Sequence, residues 1–244
     1  MRAITVCYQY HDILAKTLPT NVKLFESFTV VTSEKDRATI DLCEMYGADL
    51  FLTELFWDKG AIFNKFAALE AGLDQIGRTG SLAILDADVV MPAAVANWEP
   101  QNGCLYTPLR RMQLDIRADV TPEKLWKRLR FHRASEEHAG YCQMFYAEDP
   151  MLGPGPWHET DWTWAGGADS FFALRWPDRN RLRPPFECLH LGPAGVNWAG
   201  RVTDYADGTK DPEAEKRSGQ FNWLMNQRKE MRSRNLPRFT REKL

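Results

Sequence analysis

The sequence predicts a single α/β domain built on a central, mostly parallel sheet with helices on its faces. Two observations carry this prediction. The first half of the chain alternates short apolar, strand-like runs with helical runs, which is the pattern of a parallel sheet covered on both sides. The chain has 244 residues, of which 44 % are hydrophobic and 26 % are charged. It is therefore long enough and apolar enough to bury one sizeable core.

Four strands and two helices are predicted in the first half. The strand-like runs are short, apolar and rich in β-branched residues. Helices are predicted where apolar residues recur at helical spacing, and Gly47 provides a stop for the first of them. The strands are predicted at Ala3–Tyr8, Ser27–Thr32, Asp49–Thr53 and Ser81–Leu85, and the helices at Lys35–Tyr46 and Phe63–Gly77.

The pattern becomes less regular after Pro92. Strands are predicted at Cys104–Pro108 and Tyr141–Tyr146, a helix at Thr121–Arg133, and loops at Gly153–Pro156 and Trp157–Gly167. No repeat or linker interrupts the chain. We therefore expect one Rossmann-like domain over residues 1–215, with a regular half at 1–92, an irregular half at 93–215, and a basic C-terminal extension at 216–244.

Cysteine usage and hydropathy bear on the compartment. The five cysteines are odd in number, widely scattered and form no Cys-x-x-Cys pair. This argues against a disulfide framework and against a cysteine-ligated zinc site. No run approaches the roughly 20 apolar residues that span a bilayer, and no export signal is recognisable. We expect a cytoplasmic protein.

Basic residues are concentrated in two places although the formal net charge is only −2. Residues 216–244 hold nine Lys or Arg against two Glu, and a second basic run lies within residues 124–133. Such segregation is typical of a polyanionic partner, but it also fits a solvated helix face. Both interpretations stay open on the sequence.

The first candidate site is Asp86-Ala87-Asp88, directly after the fourth predicted strand. Ligands of open α/β sheets bind beyond the carboxyl ends of the strands. Two carboxylates there can face a divalent cation and a ribose, and Mg²⁺ or Mn²⁺ prefers such oxygen ligands. A leaving diphosphate needs a cation of this kind. The alternative is a pair of solvated loop aspartates.

Two further segments hold side chains suited to catalysis. Asp169 follows Gly166 and Gly167 and precedes an apolar run, so it is expected at a helix N-terminus, either as a general base or as an ordinary cap. The paired glycines would let the backbone approach a ligand closely. His190 follows a strand-like stretch and would complete a metal site begun by Asp88, although a lone histidine is more often structural.

These segments, taken in order, resemble the GT-A glycosyltransferases, particularly the family-2-like and galactosyltransferase-like enzymes. Two more stretches share the resemblance. The turn from Thr32 to Asp36 resembles the nucleoside-contacting turn after strand two, and Phe63-Asn64-Lys65 resembles the segment that lies along the donor. The resemblance covers roughly residues 3–201. One departure is Ala168, which stands where the family often has an acid.

The resemblance implies a UDP-sugar donor and a bound Mn²⁺ or Mg²⁺. It implies that Asp88 and His190 bind the metal, with Asp86 on the metal or the ribose, and that Asp169 is the catalytic base of an inverting reaction. It places residues 1–92 as the nucleotide-sugar half and residues 93–215 as the acceptor half. The donor-binding residues are then expected to be Thr32, Asp36, Asn64, Lys65, Asp86, Asp88, Gly167, Trp198 and Arg201.

The segment Gly195–Arg201 follows His190 closely. A mobile loop carrying Trp198 and Arg201 would close over the diphosphate and exclude water from it. The alternative is a packed tryptophan beside a surface arginine. No sequence feature separates the two.

The acceptor is predicted from the charge pattern. Phe221, Trp223 and Phe239 are interleaved with the cations of the tail, which is typical of nucleic-acid binding. The chain also resembles glycosyltransferases encoded by bacterial viruses, which act in the host cytoplasm and some of which add sugars to hydroxymethylated pyrimidines in DNA. The leading acceptor is therefore a 5-hydroxymethylpyrimidine in DNA, contacted through the tail and residues 124–133 and reached by base flipping. Competing acceptors are a bacterial polysaccharide, a glycolipid or a protein side chain.

Two hypotheses from other classes remain. A nucleotidyltransferase also pairs a parallel sheet with metal-binding aspartates, but it usually has a glycine-rich phosphate loop after strand one. Here that place holds Cys7–Asp12, without a glycine. A non-catalytic DNA-binding module would gain nothing from two carboxylates at the end of a buried strand, and it would more often be basic overall. Oligomeric state is not visible in the sequence.

Overall fold

The fold is described from a computed structural model, which describes residues 1–117, 140–161, 164–193 and 196–233. Within these residues the chain forms ten strands and five α-helices. The strands are β1 Arg2–Val6, β2 Phe28–Thr32, β3 Asp49–Leu52, β4 Ser81–Asp86, β5 Val89–Val90, β6 Leu105–Tyr106, β7 Leu109–Gln113, β8 Cys142–Tyr146, β9 Arg181–Leu182 and β10 Glu187–Leu191. The helices are α1 His11–Asn21, α2 Arg37–Tyr46, α3 Lys65–Ile76, α4 Ala168–Ala173 and α5 Ala214–Ser233.

The described strands form two sheets. The central sheet has seven strands in the order β3-β2-β1-β4-β8-β6-β9. β1 pairs in parallel with β2 and β4, and β2 pairs in parallel with β3, whereas β8 is antiparallel to β4 and β6. A smaller sheet has the order β5-β10-β7, with β10 parallel to β7 and antiparallel to β5. The predicted α/β class with a mostly parallel sheet is confirmed.

Both faces of the central sheet are buried. Along β1, Ala3 packs into one apolar cluster, while Ile4 and Val6 pack into the other. The first cluster takes Leu14 and Leu18 from α1, and the second takes its helical members from α3 and α4. A strand buried on both faces is apolar without alternation, which explains why β1 was recognisable as a short continuous run.

Most predicted elements lie within two residues of the observed bounds, and α1 is the main omission. Its N-cap residue, Tyr10, makes no side-chain cap hydrogen bond, and Pro19 lies inside the helix. Neither the start nor the interior therefore carries a helix signal, although Leu14 and Leu18 are fully buried. The predicted strand at Cys104–Pro108 is shorter in the structure, where β6 covers two residues. The helix predicted at Thr121–Arg133 lies outside the described residues.

The register of the sheet brings two loops to one edge. Val6, at the end of β1, pairs with Asp86, at the end of β4. The turn after β1 and the Asp86-Ala87-Asp88 segment therefore leave the sheet side by side. None of the described helices is long and apolar enough to cross a membrane.

Candidate active site

An open cleft lies at this carboxyl edge of the central sheet. It is bordered by the ends of β1 and β4, the start of α4, the end of β10 and the segment that follows β10. Seven of the predicted site residues line it: Lys65, Asp86, Asp88, Asp169, His190, Trp198 and Arg201. Residues far apart in sequence therefore meet in one concave site, which is the usual form of a small-molecule site.

Asp88 and His190 are brought together by the smaller sheet. Val89 pairs with His190 across β5 and β10, and the Leu191 amide donates to the Asp88 carbonyl at 2.8 Å. The His190 Nε2 and Asp88 Oδ1 atoms lie 3.5 Å apart. Asp88 Oδ1 and His190 Nδ1 are buried and have no hydrogen-bond partner in the described part of the chain.

This pair fits a divalent cation. Two neighbouring ligands of an octahedral ion bound at about 2.1 Å lie about 3 Å from each other, close to the observed separation. An unsatisfied buried carboxylate oxygen is costly unless a ligand completes it. Over the described residues, however, no three His, Cys, Asp or Glu side chains come together as a metal-binding group. An ion held here would need further oxygen ligands from water or from a bound molecule.

Asp86 forms an ion pair with Lys65 beside this pair. The Lys65 ammonium donates to Asp86 Oδ1, and both side chains are at least two-thirds buried. Burial disfavours the ammonium, but the charge of Asp86 and the hydrogen bond to it raise the pKa of Lys65. Burial raises the pKa of Asp88, with the charge of His190 acting against burial and that of Asp86 adding to it. Lys65 thus partly neutralises the negative charge of the neighbouring Asp86 and Asp88.

Asp169 lies in the first turn of α4, as predicted. Its Oδ2 accepts a hydrogen bond from the Gly140 amide at 2.8 Å, whereas Oδ1 is buried and has no hydrogen-bond partner among the described residues. Gly140 packs so closely that a Cβ there would lie 2.1 Å from Asp169 Cβ. One oxygen is fixed by the backbone, and the other is left for a ligand in the cleft.

The two glycines before Asp169 have separate structural roles. Gly167 is the N-cap residue of α4 with φ of 104°, a conformation that only glycine adopts readily. Gly166 lies under Trp198, since a Cβ on Gly166 would come within 2.7 Å of the indole ring. The Ala165 amide also donates to the Trp198 carbonyl at 2.7 Å. The sequence predicted that a ligand would approach the backbone closely at the glycine pair. In the structure the Trp198 ring makes this close approach, at Gly166.

Arg201 is fully buried, and its guanidinium is occupied by the protein. Its five N–H groups donate to both carboxylate oxygens of Asp12 and to the carbonyls of Gln9, Thr203 and Asp204. The guanidinium also lies between the rings of Tyr10 and Tyr205, at 4.7 and 4.0 Å from their centroids. The structure matches neither predicted interpretation in full. Arg201 is anchored and buried instead of lying at the surface, whereas Trp198 is 38 % exposed.

Three predicted donor-binding residues lie behind the cleft and not on its wall. Asp36 caps α2 through Thr39 and accepts a hydrogen bond from the Gln9 amide at 2.6 Å. Asn64 caps α3 through Ala67 and donates to the Thr160 carbonyl at 2.6 Å. Thr32 is fully buried at the end of β2. Asp36 and Asn64 thus hold the loops that form the wall.

Several residues that were not selected as individual site residues also line the site, although Phe63 belongs to the segment compared with the donor-contacting one. Tyr8, Tyr10, Phe63 and Asn197 border the cleft. Asn197 donates to the Tyr10 hydroxyl at 2.9 Å. Aromatic residues are mostly core residues in any sequence, so only the position of Tyr8 and Tyr10 directly after a parallel strand would have pointed to them.

A second open cleft adjoins the first and shares Tyr8, Phe63 and Gly200 with it. The Tyr8 ring meets the Trp57 ring edge to face at 5.0 Å, and Lys35 lies 5.0 Å from the Trp57 ring centroid. The start of the predicted basic extension borders this cleft through Lys216, Arg217 and Gln220. The tail therefore begins at the site and not apart from it.

The basic residues proposed to meet a polyanion are only partly described. The run at 124–133 lies outside the described residues, as does Phe239. In the described start of α5, Lys216 pairs with Glu213 and Arg217 pairs with Asp211, both at 3.1 Å. The Trp223 side chain is 63 % exposed.

Solved structures with similar folds include glycosyltransferases. Glucosyl-3-phosphoglycerate synthase from Mycobacterium tuberculosis, in complex with Mn²⁺, UDP-glucose and phosphoglyceric acid, is 15 % identical over 45 % of this chain and 43 % of that chain, with a TM-score of 0.36. The galactosyltransferase LgtC, in complex with donor and acceptor sugar analogues, is 13 % identical over 61 % of this chain and 59 % of that chain, with a TM-score of 0.38. An active-site mutant of LgtC is 11 % identical over 90 % of this chain and 96 % of that chain, with a TM-score of 0.47.

This chain therefore matches less than two thirds of the length of the first two structures. No protein-family model and no curated protein matches the sequence. At these identities and TM-scores, the similarities assign no substrate and no reaction to this chain.

Proposed function

We propose that this protein is a metal-dependent glycosyltransferase of the GT-A type, which moves a sugar from a UDP-sugar to an acceptor hydroxyl. One observation carries the proposal. The same cleft holds the Asp88–His190 pair, with a buried carboxylate oxygen that lacks a hydrogen-bond partner, and the unpartnered Oδ1 of Asp169. A cation-binding pair and a free base are the two parts that glycosyl transfer from a nucleoside diphosphate needs.

Asp88 and His190 would hold Mn²⁺ or Mg²⁺, and the diphosphate of the donor would supply further oxygen ligands. The bound ion would offset the negative charge that develops on the departing diphosphate. The Asp86–Lys65 pair lies beside it, so Asp86 is available to a ribose hydroxyl, while the ammonium of Lys65 adds positive charge near the phosphates. Carboxylate and phosphate oxygens suit either cation, whereas the imidazole nitrogen of His190 suits Mn²⁺ better than the harder Mg²⁺.

Asp169 is the proposed general base. Its Oδ2 is held by the Gly140 amide, which fixes the carboxylate and leaves Oδ1 to accept the proton of the acceptor hydroxyl. The acceptor oxygen then forms a bond to the anomeric carbon as the bond to the nucleotide breaks. Direct displacement of this kind inverts that carbon.

The aromatic walls support a nucleoside donor. Tyr8, Trp57 and Phe63 lie along the two adjoining clefts, and flat rings of this kind suit a base and a sugar.

The turn after β1 argues against the alternative function of a nucleotidyltransferase. Tyr8, Gln9 and Tyr10 stand where such enzymes usually have a glycine-rich phosphate loop.

The proposed acceptor is a 5-hydroxymethylpyrimidine in DNA. It is supported by the density of Lys and Arg in residues 216–244 and by the exposed Trp223 within that segment. Lys216 and Arg217 pair with nearby acids, so we assign the proposed phosphate contacts to the later cations of the tail. A polysaccharide, glycolipid or protein acceptor is the competing proposal.

The acceptor is tested by offering DNA that contains hydroxymethylated pyrimidines, together with a panel of UDP-sugars and Mn²⁺. The digested nucleosides are then read by mass spectrometry. A hexose-sized mass gain on the modified base, absent with Asp169→Asn, is the expected result. Release of UDP without any gain on DNA would reject this acceptor and direct the search to glycans and proteins.

A further inference from the structure

The turn after β1 is held in an unfavourable backbone conformation. Gln9 has φ of 53°, and among the described residues only Lys59 is another non-glycine residue with positive φ. A non-glycine residue in this region stores strain that its surroundings must offset. The turn places Tyr8 and Tyr10 on the cleft walls, so its conformation shapes the site.

Three segments from distant parts of the chain hold Gln9. Its amide donates to Asp36 Oδ2 at 2.6 Å, and its carbonyl accepts from Arg201 at 3.4 Å. Its side-chain oxygen accepts from Arg217 Nη2 at 2.8 Å. The third contact comes from α5, within the stretch predicted to be a basic extension.

Arg217 is itself fixed in place. Its two terminal nitrogens contact the two carboxylate oxygens of Asp211 at 3.1 and 3.2 Å, and Asp211 is buried. Nη1 also donates to the Arg201 carbonyl at 2.6 Å. The planar fork of one guanidinium thus joins the Gln9 turn, the Arg201 segment and the start of α5, which the single point charge of a lysine would not do.

We infer that Arg217 is a positioning residue for donor binding. It holds the Gln9 turn and the Arg201 segment together, so that the two adjoining clefts form one continuous donor site. The start of α5 is therefore part of the enzyme's donor site and not only a contact for the acceptor. This inference rests on the proposed function and deepens it, because it names a residue on which donor affinity depends.

The experiment measures the affinity for UDP in the presence of Mn²⁺ by calorimetry, using the full chain. Arg217→Ala should bind UDP about tenfold more weakly, because the charge-assisted hydrogen bonds that hold the turn are removed. Sugar transfer at saturating donor should stay within about twofold, since Arg217 touches none of the proposed catalytic groups. Arg217→Lys should recover only part of the affinity, because it keeps the charge without the fork.

The matched control is Arg175→Ala. Arg175 also donates two guanidinium hydrogen bonds to carbonyls, those of Leu152 and Trp157, but it lies outside both clefts. It should lower thermal stability without changing UDP affinity. Equal UDP affinity of Arg217→Ala and wild type would overturn the inference alone. A wild-type protein that binds no UDP would overturn the proposed function together with it.

Discussion

At the level of single residues, the Gly140 amide holds the Asp169 carboxylate in the cleft through a hydrogen bond to Oδ2 at 2.8 Å. Asp88, Asp169 and His190 were predicted from residue type and from their positions after strand-like or glycine-rich segments. Gly140 was not, because its role is a contact with Asp169, 29 residues further along the chain. A contact over that distance depends on the tertiary fold and leaves no local pattern.

Gly140→Ala tests the placement of the base. An added Cβ would meet the Asp169 side chain at 2.1–2.6 Å, so Asp169 must move. We expect the turnover number for sugar transfer to fall about 100-fold, since a displacement near 1 Å has effects of that size. UDP affinity should be nearly unchanged.

The control for this substitution is Gly219→Ala in α5, where an added Cβ meets no atom within 4 Å. It should leave transfer unchanged and slightly stabilise the helix. Wild-type turnover in Gly140→Ala would argue against Asp169 as the base.

At the level of elements, a buried ionic cluster fixes the segment before α4 to α3. Glu70 of α3 accepts hydrogen bonds from the Trp157 and His158 amides, from His158 Nδ1 and from Arg78, at 2.6–3.0 Å. The His158 ring stacks between the rings of Phe66 and Phe172, at 5.3 and 4.4 Å. The sequence predicted α3 and a loop at Trp157–Gly167, but nothing local indicated that this loop is anchored on a buried glutamate.

The cluster predicts a pH dependence of stability. Burial lowers the pKa of His158, although the hydrogen bond and charge of Glu70 oppose it. The unfolded chain, with a histidine pKa near 6.5, therefore binds this proton first as pH falls. Neutral, buried His158 therefore makes its full contribution to the free energy of unfolding above about pH 6.5. Below that pH its contribution declines, by up to about 1.4 kcal/mol per pH unit.

Urea unfolding between pH 8 and pH 5 measures this decline, with His158→Gln as the comparison. Despite burial, the hydrogen bond from neutral His158 and the charge of Arg78 lower the pKa of Glu70, so the contribution of Glu70 to the free energy of unfolding persists across that window. The glutamine variant should lose the part of the pH slope that belongs to residue 158. An identical slope in both proteins would show that His158 is not buried in the neutral form.

At the level of the whole molecule, the alternation of strands and helices was enough to predict the central sheet. The smaller sheet was not predicted, because β5 has only two residues and β7 follows an irregular stretch. That sheet is what brings His190 to Asp88. The sequence thus indicated the two residues of the proposed metal pair, and long-range strand pairing brings them together.

Deletion of most of the basic tail tests whether its charge binds DNA. Deleting residues 221–244 removes seven Lys or Arg but keeps the Arg217 hydrogen bonds at the cleft. DNA binding should weaken, and the slope of log affinity against log salt should flatten by about 0.9 for each phosphate that the shortened chain no longer neutralises. UDP release from the donor should survive. An unchanged salt slope would remove the argument for a DNA acceptor.

The most direct test of a metal-dependent glycosyltransferase is the release of UDP from a panel of UDP-sugars. It is measured with Mn²⁺ and with chelator, for wild type and for Asp88→Asn. We expect Mn²⁺-dependent release from at least one donor, and a decrease of about 100-fold in the variant because charge stabilisation of the diphosphate is removed. Release that needs no metal, or that proceeds equally well in Asp88→Asn, would rule out a metal-dependent glycosyltransferase of this kind.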